Sequence, residues 1–356
     1  MPLAIEDLDA KIVDAIRAGL AIPAHPLALD ANRRLDTRRQ RALTRYYCDA
    51  RVGGLAVGVH TTQFAIRDVG LYEPVLQLAA ETAAADARRD LAMIAGLAGR
   101  TAQAVKEADI AVGLGYHAGL LSLGAMRDAS EDEIIDHCRA VAQRMPLFGF
   151  YLQPSVGGRH LSGAFWKRFC EIDNVIGIKI APFNRYRTID VIQGLVDAGA
   201  ENRITLYTGN DDHIILDLLL PFTVKRAGEA VTVRIKGGLL GHWSVWARSS
   251  VQLFEQCKAA VENGGILSPE LLALDSRVTA MNAAVFDVEN DFHGCIAGCH
   301  EILRRQGLLD GIWCLDPAEG LGRGQSQALD RVIADNPDLI DDAFIAANRD
   351  RWLDGK

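Results

Sequence analysis

The sequence predicts an α/β protein: a (β/α)8 TIM barrel with a helical extension at its C-terminal end. Three observations carry that prediction. Eight short apolar runs alternate with longer segments of helical period, the pattern of a parallel sheet with crossover helices. The first run ends in Pro23-Ala-His-Pro26, which is nothing like the glycine fingerprint that opens most doubly wound sheets. The chain has 356 residues, enough for a closed barrel of roughly 250 residues with a substantial remainder.

The first predicted strand is the short run Ala21–Pro23. Gly54–Val59 and Ala92–Ala95 follow as apolar runs, with Leu71–Arg89 between them repeating apolar residues at helical spacing. A helix is expected over Thr101–Ala108 and a fourth strand over Ile110–Leu114. The next helix, Ile134–Arg144, is announced by a capping box of Ser130 with Glu133. Leu147–Leu152, Val175–Ile180, Ile204–Thr208 and Val231–Ile235 complete the eight strands. Helical periods at Leu161–Cys170 and Ile189–Ala198 separate them, and Ser244–Ala260 reads as the eighth helix. From Ser268 onward only helical periods occur, with Ser268-Pro-Glu and Asn336-Pro-Asp as helix starts. The expected division is therefore residues 1–265, a barrel with an N-terminal helix, and residues 266–356, a helical extension packed on it.

Composition narrows the function classes. A hydrophobic content of 49% with 24% charged residues is that of an ordinary globular protein. The net charge of −8 argues against a nucleic-acid partner, which needs clustered basic surface. No apolar run approaches the ~20 residues that span a bilayer, and Met1–Asp9 is acidic where a signal peptide is basic. Seven scattered cysteines fit reduced thiols and a cytoplasmic setting.

The most informative residue is Lys179, in Asn174-Val-Ile-Gly-Ile-Lys-Ile-Ala-Pro182. The chain holds only eight lysines against thirty arginines, yet places one inside a β-branched strand. Burial disfavours the ammonium and lowers its pKa. A neutral amine is a nucleophile that forms a Schiff base with a carbonyl. Lys236 is the other lysine in a strand-like run, but alternation puts it on the face of Arg234, a wetter or like-charged setting. In barrels of this kind the site lies at the C-terminal ends of the strands. Those ends carry His25, His60-Thr61-Thr62-Gln63, Tyr116-His117, Tyr151, Lys179, Gly209-Asn210-Asp211 and His242. Singly, a Tyr or His closing a strand is more often a packed rim residue than a catalyst. Their convergence on one rim around a buried lysine reverses that weighting.

Six short motifs along the chain resemble the dihydrodipicolinate synthase and N-acetylneuraminate lyase family. Tyr151-Leu-Gln-Pro154 and Gly177-Ile-Lys179 resemble its Tyr-Asn-x-Pro and Gly-x-Lys motifs. Thr61-Thr62 falls where the family carries Gly-Thr-Thr-Gly-Glu, and Gly209-Asn-Asp211 resembles its Gly-Asp-Asp turn. Gly237-Gly-Leu239-Leu-Gly241 resembles its Gly-Gly-x-x-Gly strand, and Pro23 to Leu27 its opening Pro-Ala-x-x-Thr-Pro. The resemblance implies a lyase in which Lys179 forms an imine with pyruvate or a related 2-oxo acid. Tyr151 would shuttle protons, and Thr61 and Thr62 would hold the substrate carboxylate and Tyr151. Tyr116 or His117 would take the family's strand-four tyrosine position. His25, His60, Gly209, Asn210, Leu239 and His242 would complete the substrate site, without metal or cofactor, in a homodimer or homotetramer.

Departures from the pattern matter as much. His60 replaces a glycine, Gln63-Phe64 replaces Gly-Glu, and Val156 stands where dihydrodipicolinate synthases place an arginine, with Arg159 three positions on. These changes argue against true dihydrodipicolinate synthesis. Two other classes compete: a metal-dependent barrel hydrolase using the rim histidines, and a barrel that binds a ligand without catalysis. His293-Gly-Cys-Ile-Ala-Gly-Cys-His300 has its histidines and cysteines on opposite helix faces, which disfavours a shared metal. Gly320-Leu-Gly-Arg-Gly324 follows no strand and reads as a loop, and Asp335–Asp342 as a solvated helix start.

Overall fold

The computed structural model of the chain describes residues 2–86, 90–265 and 267–355. Helix α1 (Ala10–Ala18), capped by the Asp9 carboxylate on the Lys11 N–H, precedes β1 (Ala21–Pro23). Strand and helix then alternate: α2 (Thr37–Asp49), β2 (Gly54–Val57), α3 (Tyr72–Ala85), β3 (Ala92–Leu97), α4 (Thr101–Gly113) and β4 (Ala118–Leu121). The series continues with α5 (Glu131–Ala142), β5 (Leu147–Leu152), α6 (Gly163–Cys170), β6 (Val175–Ala181), α7 (Arg185–Asp197) and β7 (Thr205–Thr208). A short α8 (Ile214–Leu219) leads to β8 (Pro221–Arg226), which pairs antiparallel with the long β9 (Glu229–Leu240). Five helices follow: α9 (Ala247–Glu262), α10 (Pro269–Val285), α11 (Cys295–Arg305), α12 (Gln325–Asp335) and α13 (Asp342–Asp354).

Eight parallel strands run in the order β1-β9-β7-β6-β5-β4-β3-β2, and a parallel bridge from Ala24 to Ala56 joins the two ends. The result is the expected (β/α)8 barrel with helices after it. Side chains alternate across its wall. Ile22, Ile94, Phe148, Phe150, Ala181 and Leu239 belong to an inner cluster, into which α1 packs Ile12, Val13 and Ile16. The Tyr207 hydroxyl donates to the Ile16 carbonyl at 2.7 Å and fastens that helix to the barrel. Leu147, Tyr151, Ile178 and Ile180 point the other way, into the layer shared with the helices.

Three expectations are corrected. The fourth strand is Ala118–Leu121, whereas Ile110–Leu114 lies in the last turn of α4 and its cap. Ala104, Ala108 and Ala111 form the buried face of that helix, and so small a face gives a weak helical signal. The turn at Gly115 (φ +80°) ends it. Asn336 ends α12 instead of starting a helix, and α13 begins at Asp342. Asp341, read as solvated, is buried and accepts the Tyr46 hydroxyl at 2.8 Å. The hairpin β8–β9 was not expected, and the end of the helix expected over 71–89 lies outside the described residues.

The last helix is locked onto α2. Trp352 is fully buried, its ring 5.5 Å from that of Tyr46, and its Nε1–H donates to Asp49 at 2.6 Å. Trp352→Ala is expected to cost about 3–5 kcal/mol. The check is the urea midpoint, which should fall with the slope unchanged.

Candidate active site

Lys179 reaches the lumen because β6 alternates: Ile178 and Ile180 face the helices, and Lys179 and Ala181 face inward. It lines an open cavity at the C-terminal ends of the strands. Its Nζ lies 4.5 Å from the centre of the Phe150 ring on β5 and has no hydrogen-bond partner among the described residues. Burial lowers its pKa to about 8, and the nearby Asp211 and Cys295 oppose that shift. A larger share of such an amine is neutral near physiological pH than of an ordinary lysine. Space for the lysine is made by Gly209, where a Cβ would sit 2.6 Å from Lys179 Cε and 2.8 Å from Ala181 Cβ. Gly209→Ala is therefore expected to displace the lysine and abolish its chemistry, and to lower stability as well, because the Ala181 Cβ can give way only with the β6 backbone. Trapping yield and circular dichroism measured together check this.

Asp211, two residues beyond Gly209, lines the same cavity. Its Oδ1 is enclosed without a partner. Burial raises its pKa to about 7, and Asp212 adds to the rise while Lys179 and the His242 backbone N–H oppose it. Asp211 and Lys179 thus form a buried pair that titrates near neutrality as a unit. His60 and Thr61 come from the short 3-10 turn after β2. Burial, helped by the charge of Lys179, lowers the His60 pKa to about 4, so its imidazole is neutral. The Thr61 hydroxyl is free of partners among the described residues.

The remaining expected residues are not in the cavity. Tyr151 is fully buried between β5 and α6, its ring 5.4 Å from Trp166, its hydroxyl 3.5 Å from the Leu161 carbonyl and 3.3 Å from the Leu161 N–H. Strand alternation gives the lumen position to Phe150 and turns Tyr151 away. Tyr116 and His117 precede β4 instead of following it, so they lie at the opposite end of the barrel. The Tyr116 hydroxyl donates to Leu76 O at 2.9 Å, and His117 Nδ1 accepts from Met93 N at 2.9 Å. His25 is buried against α2, with Nε2 2.9 Å from the Thr44 hydroxyl and Nδ1 2.8 Å from Pro26 O. His242 packs edge-on to Trp246, and Leu239 is part of the closed inner core.

Thr62 and Asn210 act as braces. The Thr62 hydroxyl donates to His25 O at 2.6 Å and accepts the Gly58 N–H at 3.0 Å, tying the rims of β1 and β2. Asn210 accepts the Phe183 N–H at 3.1 Å and donates to Asp217 at 2.9 Å. Asp217 in turn holds Thr208 and Arg185. Asn210 thereby fixes the loop after β6 to the turn after β7. Lys236 is exposed and donates to Arg17 O at 3.3 Å near α1. Arg159 spends its guanidinium on the carbonyls of Met126, Arg127 and Ala129, so it does not replace the arginine absent at Val156.

Sequence reasoning missed the far wall. Phe286 follows α10, and Phe292 and Cys295 lie just before and at the start of α11; all three line the cavity with Phe183 from the loop after β6. Phe183 (φ +49°) and Phe292 (φ +67°) both adopt the left-handed region, which bulky residues avoid. Each such residue costs about 1–3 kcal/mol and persists only where the surroundings impose it. Their rings meet at 5.9 Å. Burial keeps the Cys295 thiol well above its usual pKa and therefore neutral.

A barrel with a lumen lysine of lowered pKa at its C-terminal mouth belongs to a recognisable class, and comparison with known proteins places it. The dihydrodipicolinate synthetase family model matches residues 20–223, and the chain belongs to that family. No curated protein matches it. Among solved structures, a chloride-inhibited dihydrodipicolinate synthase from Acinetobacter baumannii complexed with pyruvate has 18% identity and a TM-score of 0.72, over 90% of this chain and 99% of that one. YagE from E. coli K12, complexed with pyruvate, has 18% identity and a TM-score of 0.68, over 88% and 97%. CdNal from Clostridium difficile, complexed with mannosamine, has 16% identity and a TM-score of 0.71, over 89% and 98%. These likenesses are of fold. Among the described residues no helix is long and apolar enough to cross a membrane.

Proposed function

We propose that the chain is a Schiff-base-forming lyase that acts on pyruvate or a related 2-oxo acid through Lys179. One observation carries the reading: a lumen lysine without a hydrogen-bond partner among the described residues, its pKa lowered to about 8, on the lining of an open cavity. The neutral amine attacks the keto carbon, and the carbinolamine loses water to give the imine. The imine withdraws electrons from the adjacent carbon, so a proton leaves that carbon and a nucleophilic enamine forms. Each proton step needs a group within reach. Asp211 is the group placed for it, with His60 and Thr61 beside it to take the substrate carboxylate and water. Tyr151 faces the helix layer and has no part in this reading. Pyruvate heads the substrate candidates because two of the similar structures carry it.

The reading excludes efficient dihydrodipicolinate synthesis. With Val156 in the cavity and Arg159 occupied, a carboxylate on the second substrate lacks its charge-assisted partner. That forfeits about 1.5–3 kcal/mol, or one to two decades in affinity. A hydrolase built on the rim histidines is disfavoured by their divergence, since His25 bonds Thr44 of α2, His117 accepts from Met93 at the opposite end of the barrel, and His242 packs on Trp246. The test is borohydride reduction with pyruvate followed by peptide mass mapping. The adduct is expected on Lys179; an adduct on Lys236, or none with any 2-oxo acid, refutes the assignment.

A further inference from the structure

The cavity lining is of two kinds. Lys179 shares it with the polar groups His60, Thr61 and Asp211. Phe183, Phe286, Phe292, Leu152 and Val156 make up an apolar part of the same lining, which meets the polar groups where Phe286 and Thr61 both approach Gly241. Among the described residues, Lys179 is the one cationic side chain on the lining. The polar side chain nearest the wall in sequence, Gln153, already accepts the Ser155 N–H at 3.0 Å. A charged or polyhydroxylated substrate would leave its polar groups unpaired there, which is what buried recognition selects against. A flat apolar body would be covered on its faces and edges by aromatic rings. Two of those rings, Phe183 and Phe292, are held in left-handed backbone conformations 5.9 Å apart. Strain of that kind gathers at ligand clamps.

We propose that the second substrate is an uncharged aryl aldehyde, seated against Phe183, Phe286 and Phe292, and that the enzyme makes or cleaves a 4-aryl-4-hydroxy-2-oxo acid. The proposal rests on the lysine-imine reading of Lys179. In the forward direction the C3 carbon of the enamine on Lys179 attacks the aldehyde carbon and forms the carbon–carbon bond. The aldehyde oxygen takes up the displaced electron pair and a proton from the Asp211 carboxyl. One water then hydrolyses the imine, which frees the amine of Lys179 and the 2-oxo acid. In reverse, the 4-hydroxyl loses its proton to Asp211 and the same bond breaks to give the aldehyde and pyruvate.

The test runs in two stages on the full chain. Borohydride trapping with pyruvate alone, without any aldehyde, reports the lysine chemistry. Pyruvate consumption is then measured with benzaldehyde, acetaldehyde, glyceraldehyde and aspartate semialdehyde. Benzaldehyde is expected to give a kcat/KM at least tenfold above each of the others. Phe292→Leu, judged folded by circular dichroism, should lower the benzaldehyde-to-acetaldehyde ratio at least tenfold, mainly through KM. Absence of the pyruvate adduct removes the underlying reading and this one with it. An adduct formed without benzaldehyde turnover, or a preference for glyceraldehyde or aspartate semialdehyde, overturns the aryl assignment alone.

Discussion

Lys179→Ala should remove the borohydride-trapped adduct and lower turnover by roughly four to six orders of magnitude, the scale seen when a covalent nucleophile is deleted. The lost lysine has no deputy. Lys236 is exposed beside α1, and among the described residues no other lysine lines the cavity. Folding should be nearly unaffected, because Nζ makes no hydrogen bond among the described residues and its burial is unfavourable on its own. A folded variant that still consumes pyruvate at a native rate would take the chemistry away from Lys179.

Asp211→Asn should lower kcat about 10²–10⁴-fold, the usual contribution of a positioned acid–base group, and change the pH profile in a defined way. The productive state of the pair carries a neutral Lys179 and a protonated Asp211. Their pKa values lie at about 8 and about 7. Below both, the lysine is an ammonium and cannot attack; above both, the aspartate has no proton to give. The native kcat/KM is therefore expected to be bell-shaped, with its maximum between 7 and 8. In the variant only the lysine titrates, so the alkaline limb should disappear. The acid limb should move lower, because the Asp211 charge no longer favours the ammonium. An unchanged bell in the variant would clear Asp211 of the role. Tyr151→Phe serves as the contrast: it removes two long hydrogen bonds to Leu161, costs about 0.5–1.5 kcal/mol of stability, and should leave kcat near native.

The barrel was legible because its signals are periodic, and the lysine because a charge in a β-branched strand stands out against its neighbours. Legibility failed where a single residue of phase mattered. Assigning Ile110–Leu114 to a strand moved Tyr116 and His117 from one end of the barrel to the other, since a strand end is a site only if it is the C-terminal one. The motif Tyr151-Leu-Gln-Pro154 is spaced as the resemblance requires, but spacing does not state which face a side chain takes. Lys179 pairs with Phe150 across β5 and β6, and that register decides the face. Asp211 stood in the same turn as Gly209 and Asn210, yet only the burial of its unpartnered oxygen marks it out. Phe286 and Phe292 carried no signal at all, since the strained loop that aims them has no period and lies beyond the matched residues 20–223.

The register irregularity between Leu147 and Phe148 has an evolutionary consequence. Strand faces exchange with every one-residue slip, so an insertion or deletion at that irregularity would turn Tyr151 toward the lumen and Phe150 toward α6. The two rings differ by one oxygen, and a swap of nearly equal volumes is the kind that packing tolerates. Tyr151 on β5 therefore keeps a phenol in reserve, while the carboxyl displayed in the lumen is that of Asp211, after β7. A lineage could pass between a carboxyl relay and a phenol relay by a single codon gained or lost, with the lysine untouched.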